Sequence, residues 1–238
     1  MNKYLHNPLK TKKLPKGIPY IISNEAAERF SFYGMKGILV IYMTQYLFLT
    51  TGEANISEQN AKGYFHLFTS AVYFFPIFGA LISDIFFGKY KTIIVLSLIY
   101  CLGHLVLAID PSILGLSLGL LFISIGSGGI KPCVSAHLGD QFSKTNSNLI
   151  SKAYGWFYIA INLGAFTSTL ITPYLLKHYS PTIAFAVPGI FMVLATLFFW
   201  AGRYRFVHIK PEGKETLLEL KKSKNIKILL KLFTIFIF

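Results

Sequence analysis

Apolar residues in this chain gather in runs rather than alternating with polar ones. Residues 63–87, 92–109, 113–130, 154–176 and 182–202 are such runs, and charges are nearly absent from them. A helix of about 20 apolar residues crosses a hydrocarbon core of about 30 Å, so each run predicts one membrane-spanning helix. A further run, "GILVIYMTQYLFL" (37–49), follows the polar stretch "SNEAAERFSFYGMK" (23–36). Together they predict a first helix from about 20 to 50, long enough to tilt or to project beyond the bilayer. Polar segments separate the runs: "TTGEANISEQNAK" (50–62), a tight turn in "GALISDIFFGKYKT" (79–92), Asp110-Pro111, "GDQFSKTNSNLISK" (139–152) and "KHYSPT" (177–182). The expected fold is an all-α membrane protein: six transmembrane helices over 18–202.

Composition supports this pattern. Of 238 residues, 53% are hydrophobic and 14% charged, more apolar surface than a water-facing exterior accommodates. The net charge of +13 first suggests a nucleic-acid partner, but its distribution argues against one. With the N-terminus inside, Lys and Arg cluster in residues 1–17, 89–91, 144–152 and 203–224, while the outer loops hold only Lys62 and Lys177. That bias sets orientation in a membrane. It places the N-terminus in the cytoplasm of a multi-pass protein of the plasma (inner) membrane. No cleavable signal is expected, because the Lys-rich start lacks an apolar core.

The ends divide the chain further. Residues 1–17 read as a mobile basic arm, 203–225 as a basic cytoplasmic linker, and 226–238 as the start of a seventh helix. Those 13 residues from Ile226 rise only about 20 Å as a helix, too short to cross, so the chain reads as the front part of something longer.

Charges in the first helix need a reason. At 100° per residue Glu25, Glu28, Arg29, Phe32 and Lys36 share an arc of about 100°, with Tyr33 beside it. The opposite side carries Ala27 and Leu39, which lipid can accept. Charge facing lipid is costly, so the charged arc is expected to line a bundle interior or a wet cavity. A plain ion pair near the helix end accounts for Glu25, Glu28 and Arg29, but poorly for Lys36, more than two turns deeper.

Lys131, in "GSGGIKPCV" (126–134), is a second intramembrane cation, and Glu25 or Glu28 is its expected partner. Gly126, Gly128, Gly129 and Pro132 predict a bend and a closely approaching neighbour, with plain helix packing at least as good an account as a ligand. Cys101 and Cys133 read as small apolar fillers, and the six histidines lack ligand spacing, so neither metal nor enzyme chemistry is expected. His104 and His137 read as packing residues.

Four ordered stretches carry a resemblance. Glu25-x-x-Glu28-Arg29-Phe30 followed by an aromatic pair, "GALISDIFFGKYKT" (79–92), "GGIKPCVSAHLGDQF" (128–142) and "FYIAINLGAFTSTLITPYL" (157–175) resemble the proton-dependent oligopeptide transporters of the major facilitator superfamily. The resemblance implies the N-terminal six-helix bundle of a twelve-helix fold, plus the start of helix 7. It implies proton-coupled symport of di- and tripeptides, with the proton as coupling ion and no other cofactor. By position, Glu25, Glu28, Arg29 and Lys131 are implied in proton coupling. Tyr33, Lys36, Tyr73, Lys131 and Asn162 are implied in peptide binding, although Tyr73 also reads as a packing residue. Gly79, Asp84, Gly88 and Lys89 are implied as a gating motif.

Three positions depart from the family pattern. Lys36 stands where an arginine is usual, replacing a planar fork with a point charge. Phe32 stands where a tyrosine is usual, and Ile85 where a basic residue is common. The implied partners are small peptides, protons, the lipid bilayer, and either a second six-helix half or a second copy of this chain. The competing reading is a non-transporting accessory or channel-like subunit, distinguished by conductance without saturable, proton-dependent uptake.

Overall fold

Three serines start helices as N-caps. Ser57 Oγ accepts from the Asn60 amide at 3.3 Å, Ser112 from Gly115 at 3.0 Å and Ser180 from Ile183 at 3.2 Å. Each satisfies one of the amides that a helix start leaves without a partner. In the computed structural model, which describes residues 4–47 and 56–213, these caps belong to a six-helix bundle. The helices are α1 (Ile18–Ile41), α2 (Glu58–Ile82), α3 (Lys89–Ile109), α4 (Ile113–Gly139), α5 (Ile150–His178) and α6 (Pro181–Ala201). Single π-helical turns extend α1 over Tyr42–Tyr46 and α2 over Ser83–Phe87.

Helices overrun the apolar runs that announced them. α4 continues through Pro132 to Gly139, and α2 begins at Glu58 because Ser57 caps it in the polar linker. Among the described residues, five helical stretches are long and apolar enough to cross a membrane: Glu58–Phe87, Lys89–Ile109, Ile113–Gly139, Ser147–His178 and Pro181–Ala201. α1 falls outside that class, and Glu25, Glu28, Arg29 and Lys36 lie along it. The part of the expected linker beyond residue 213 and the start of the seventh helix lie outside the described residues.

α1 packs chiefly against α5 and α6, α3 against α4 and α6, and α2 against α4. This overturns the expected lipid face of α1, since Ala27 and Leu39 are buried. Gly164 on α5 explains the closeness: a Cβ there would collide with the Ala26 carbonyl and the Phe30 amide. Small residues let backbones approach in a membrane, where lipid supplies no hydrophobic drive between helices. Gly79 of α2 meets Gly129 of α4 in the same way, so a Cβ on Gly79 would strike the Gly129 backbone. Gly126 and Gly128 face Tyr100 and Val72, which bears out their packing reading.

The described part of the N-terminal arm is docked on the bundle. Leu5 bridges Val207 in parallel, the His208 amide donates to Leu5 O at 2.7 Å, and Asn146 Nδ2 donates to Lys13 O at 3.1 Å. The carbonyls of Leu5, Thr11 and Lys13 accept from the segment after α6 and from the α4–α5 loop, contacts that residue type alone did not announce.

Candidate functional site

Because Glu25, Glu28 and Arg29 of α1 are buried, their charges must be paired inside the bundle. Arg29 Nε donates to Glu25 Oε1 at 2.8 Å and lies 2.7 Å from Glu28 Oε2. Ser127 Oγ from α4 donates to Glu28 Oε1 at 3.4 Å. Glu25, Glu28 and Arg29 are all buried, so this part of the charged arc lines the bundle interior, one of the two settings expected for it. Such pairing is what makes buried charge tolerable, because the attraction offsets the loss of hydration.

The two lysines are arranged differently. Lys131 Nζ lies 4.6 Å from the Phe32 ring centroid and 5.2 Å from that of Tyr73. Lys36 Nζ lies 5.2 Å from the Phe65 centroid and 5.9 Å from that of Phe32. The expected ion pair between Lys131 and Glu25 or Glu28 is not formed among the described residues. Both carboxylates are already taken by Arg29, and Lys131 acts on them only electrostatically, beyond contact. Aromatic faces stand in as cation partners, since the ring quadrupole attracts an ammonium group within about 6 Å.

Phe32 is the hub of this arrangement. It is buried, meets Tyr33 edge-on at 5.4 Å and stacks on Phe68 at 6.2 Å. Tyr33 and Lys36 are half-buried, while Tyr73 is 70% exposed on α2. The structure thus joins a buried triad (Glu25, Glu28, Arg29) to a neighbouring lysine–aromatic group (Phe32, Tyr33, Lys36, Tyr73, Lys131). Asn162 is not drawn in. It is exposed on α5, and its Nδ2 donates to Tyr158 O, one turn back on its own helix.

The stretch implied as a gating motif builds the junction of α2 and α3. Gly88 adopts φ 74° and ψ 155°, a conformation that favours glycine. Asp84 is exposed, and its carbonyl accepts from the Glu212 amide at 2.8 Å. Lys89 Nζ pairs with Asp140 Oδ2 at 2.9 Å, tying the start of α3 to the end of α4. Sequence reasoning did not assign Asp140, Ser127 or Phe65. The only signal for Asp140 was its place in "HLGDQF" at a helix end; nothing marked the other two.

Known proteins are similar to this chain in sequence and fold. A model of the POT family matches residues 90–233. The chain belongs to the POT family. It is 43% identical over 214 residues to "Peptide transporter family 1" of Drosophila melanogaster, covering 84% of this chain and 28% of that protein. It is 41% identical over 214 residues to "Solute carrier family 15 member 2" of Homo sapiens, with the same shares. Among solved structures, the POT family transporter PepTSo superposes with a TM-score of 0.79 at 50% identity, over 85% of this chain and 40% of that one. A peptide transporter POT in complex with sulfate gives a TM-score of 0.80 at 26% identity, over 95% and 48%. This POT-family chain is a multi-pass integral membrane protein, and it spans 28% of the length of those two curated relatives.

Proposed function

We propose that this POT-family bundle is the N-terminal half of a proton-coupled carrier of di- and tripeptides, with Glu25 or Glu28 as the proton acceptor. It is a transporter rather than an enzyme, in the plasma (inner) membrane with its N-terminus inside. The observation that carries the reading is the buried Arg29 shared by two carboxylates, beside two lysines that rest on rings instead of acids. With both acids ionised, Glu25, Glu28, Arg29, Lys36 and Lys131 sum to +1. A proton arriving on one glutamate weakens its hold on Arg29 and adds a positive charge to the site. The lysines then draw in a peptide carboxylate, because no carboxylate has to be displaced from them. Release of peptide and proton on the inner side restores the triad. The membrane potential contributes about 2.3 kcal/mol per charge per 100 mV, enough to drive accumulation.

Lys36, Lys131 and Tyr73 close only one side of such a site. The relatives named as peptide transporters are longer, and a matching second bundle supplies the other wall. Asn162 belongs to the reading only if that second bundle faces α5. Asp84, Gly88 and Lys89, on a different end of α2 and α3, act as the gate.

The test is a fusion of this chain to a matching second bundle, reconstituted in liposomes under an inward proton gradient. Labelled dipeptide accumulates in it, whereas Glu25→Gln and Glu28→Gln remove accumulation and leave counterflow exchange. Residues 1–238 alone give no saturable uptake. Full accumulation by both substituted fusions would falsify the assignment, and conductance without saturable uptake would favour a channel-like subunit.

A further inference from the structure

A cavity of about 360 Å³ opens where the docked arm, the α4–α5 loop and the segment after α6 meet. Leu5, Leu14 and Val207 line its walls, and Lys13, Lys16 and Arg205 converge on it. No carboxylate lines it, and none of these three cations forms an ion pair among the described residues. Three like charges around one cavity repel each other, and an anion between them removes that cost.

Neighbouring aromatics place the cavity at a bilayer surface. Trp200 and Tyr204 are half-exposed, and the Arg203 guanidinium stacks on them at 3.7 Å and 4.4 Å. Arg205 lies 5.1 Å from the Tyr20 ring, in the first turn of α1. Trp and Tyr beside Arg at the ends of apolar helices mark the headgroup level, with the ring in the lipid and the polar edge in water. We infer that this cavity binds the phosphate of an anionic phospholipid headgroup, with Lys13, Lys16 and Arg205 as its cationic contacts. The apolar walls accept the glycerol and upper acyl carbons. Because Lys13 and Lys16 belong to the arm and Arg205 follows α6, a bound headgroup also fastens the arm to the bundle.

The inference needs only that this end of the bundle lies at a bilayer surface, and its test reads lipid rather than transport. Failure here therefore leaves the carrier reading standing, and failure of that reading leaves this one standing. The 238-residue chain is placed in nanodiscs of equal palmitoyl-oleoyl phosphatidylglycerol and phosphatidylcholine, then released for native mass spectrometry. The chain keeps phosphatidylglycerol by on the order of tenfold over phosphatidylcholine. Joint Lys13→Gln, Lys16→Gln and Arg205→Gln brings the ratio near parity. Joint Lys13→Arg and Lys16→Arg preserves it, and so does Lys62→Gln outside the cavity. Millimolar inorganic phosphate does not displace the lipid. Parity in the unaltered chain, or full preference in the glutamine variant, overturns the inference. Displacement by inorganic phosphate also overturns it, since the cavity would then serve a free anion.

Discussion

Phe32 stands between two ammonium groups, with Lys131 Nζ 4.6 Å and Lys36 Nζ 5.9 Å from its ring centroid. A phenyl ring offers these cations attraction without a counter-charge, so neither must give up an acid to meet an incoming carboxylate. A double-mutant cycle of Phe32→Leu with Lys131→Met, read by thermal unfolding in nanodiscs, is expected to give a coupling of about 1–2 kcal/mol. Phe32→Tyr keeps the ring and costs little. A coupling near zero would mean that Phe32 only fills space.

Arg29 makes its two acids interdependent. Glu25→Gln alone leaves the guanidinium with Glu28 at 2.7 Å, and Glu28→Gln alone leaves it with Glu25 at 2.8 Å. Losing both strands a buried cation, which costs about 3–5 kcal/mol. The double variant should therefore lose clearly more stability than the two singles added together. Simple additivity in denaturation midpoints would show that Arg29 finds another partner.

These couplings mark where the sequence could be read and where it could not. The helices were legible because apolar length and the Asp110-Pro111 break are local signals. The charged arc was legible too, since helical periodicity alone puts Glu25, Glu28, Arg29 and Lys36 on one face. What surrounds that arc was not legible. Periodicity gives the direction of a side chain and leaves its neighbours open, so Ala27 and Leu39 read as lipid-facing until α5 and α6 covered them. Lys131 was assigned an acid because a buried cation needs a partner, and an aromatic ring met that need instead. The docked arm is held partly through the carbonyls of Leu5, Thr11 and Lys13, groups every residue carries, so the identity of those arm residues does not encode these contacts.

Lys89 and Asp140 each stand at the wrong end of a helix dipole. Lys89 opens α3, where a cation is disfavoured, and Asp140 caps the end of α4, where an anion is disfavoured. Their 2.9 Å pair compensates both. Lys89→Asp alone is expected to destabilise the bundle by about 1 kcal/mol or more, with like charges facing each other at a partly exposed site. Adding Asp140→Lys reverses the pair and suits both dipoles, so the double swap should recover at least the original melting temperature. A double swap no better than the single variant would show that the contact depends on side-chain shape rather than charge.

His208 makes docking of the arm dependent on pH. Its ring lies between Tyr4 of the arm and Tyr90 of α3, at 4.8 Å from each centroid, and its Nε2–H donates to Arg203 O at 2.7 Å. Partial burial holds the imidazole below its ordinary value; the Arg203 carbonyl works against that shift, and nearby His6 adds to it. The docked state therefore binds fewer protons than the undocked one. Its contribution is complete above the ordinary value of 6.5 and is lost as pH falls through the lowered value. The reporter is the His208 amide, which donates to Leu5 O at 2.7 Å. Corrected for intrinsic rate, its hydrogen exchange should be faster at about pH 5 than at about pH 7. His208→Gln should flatten that dependence at the same amide, while amides within α3 stay unchanged in both proteins. Protection of the position 208 amide that holds or rises on acidification would refute the linkage, because the proton would then stabilise the docked arm.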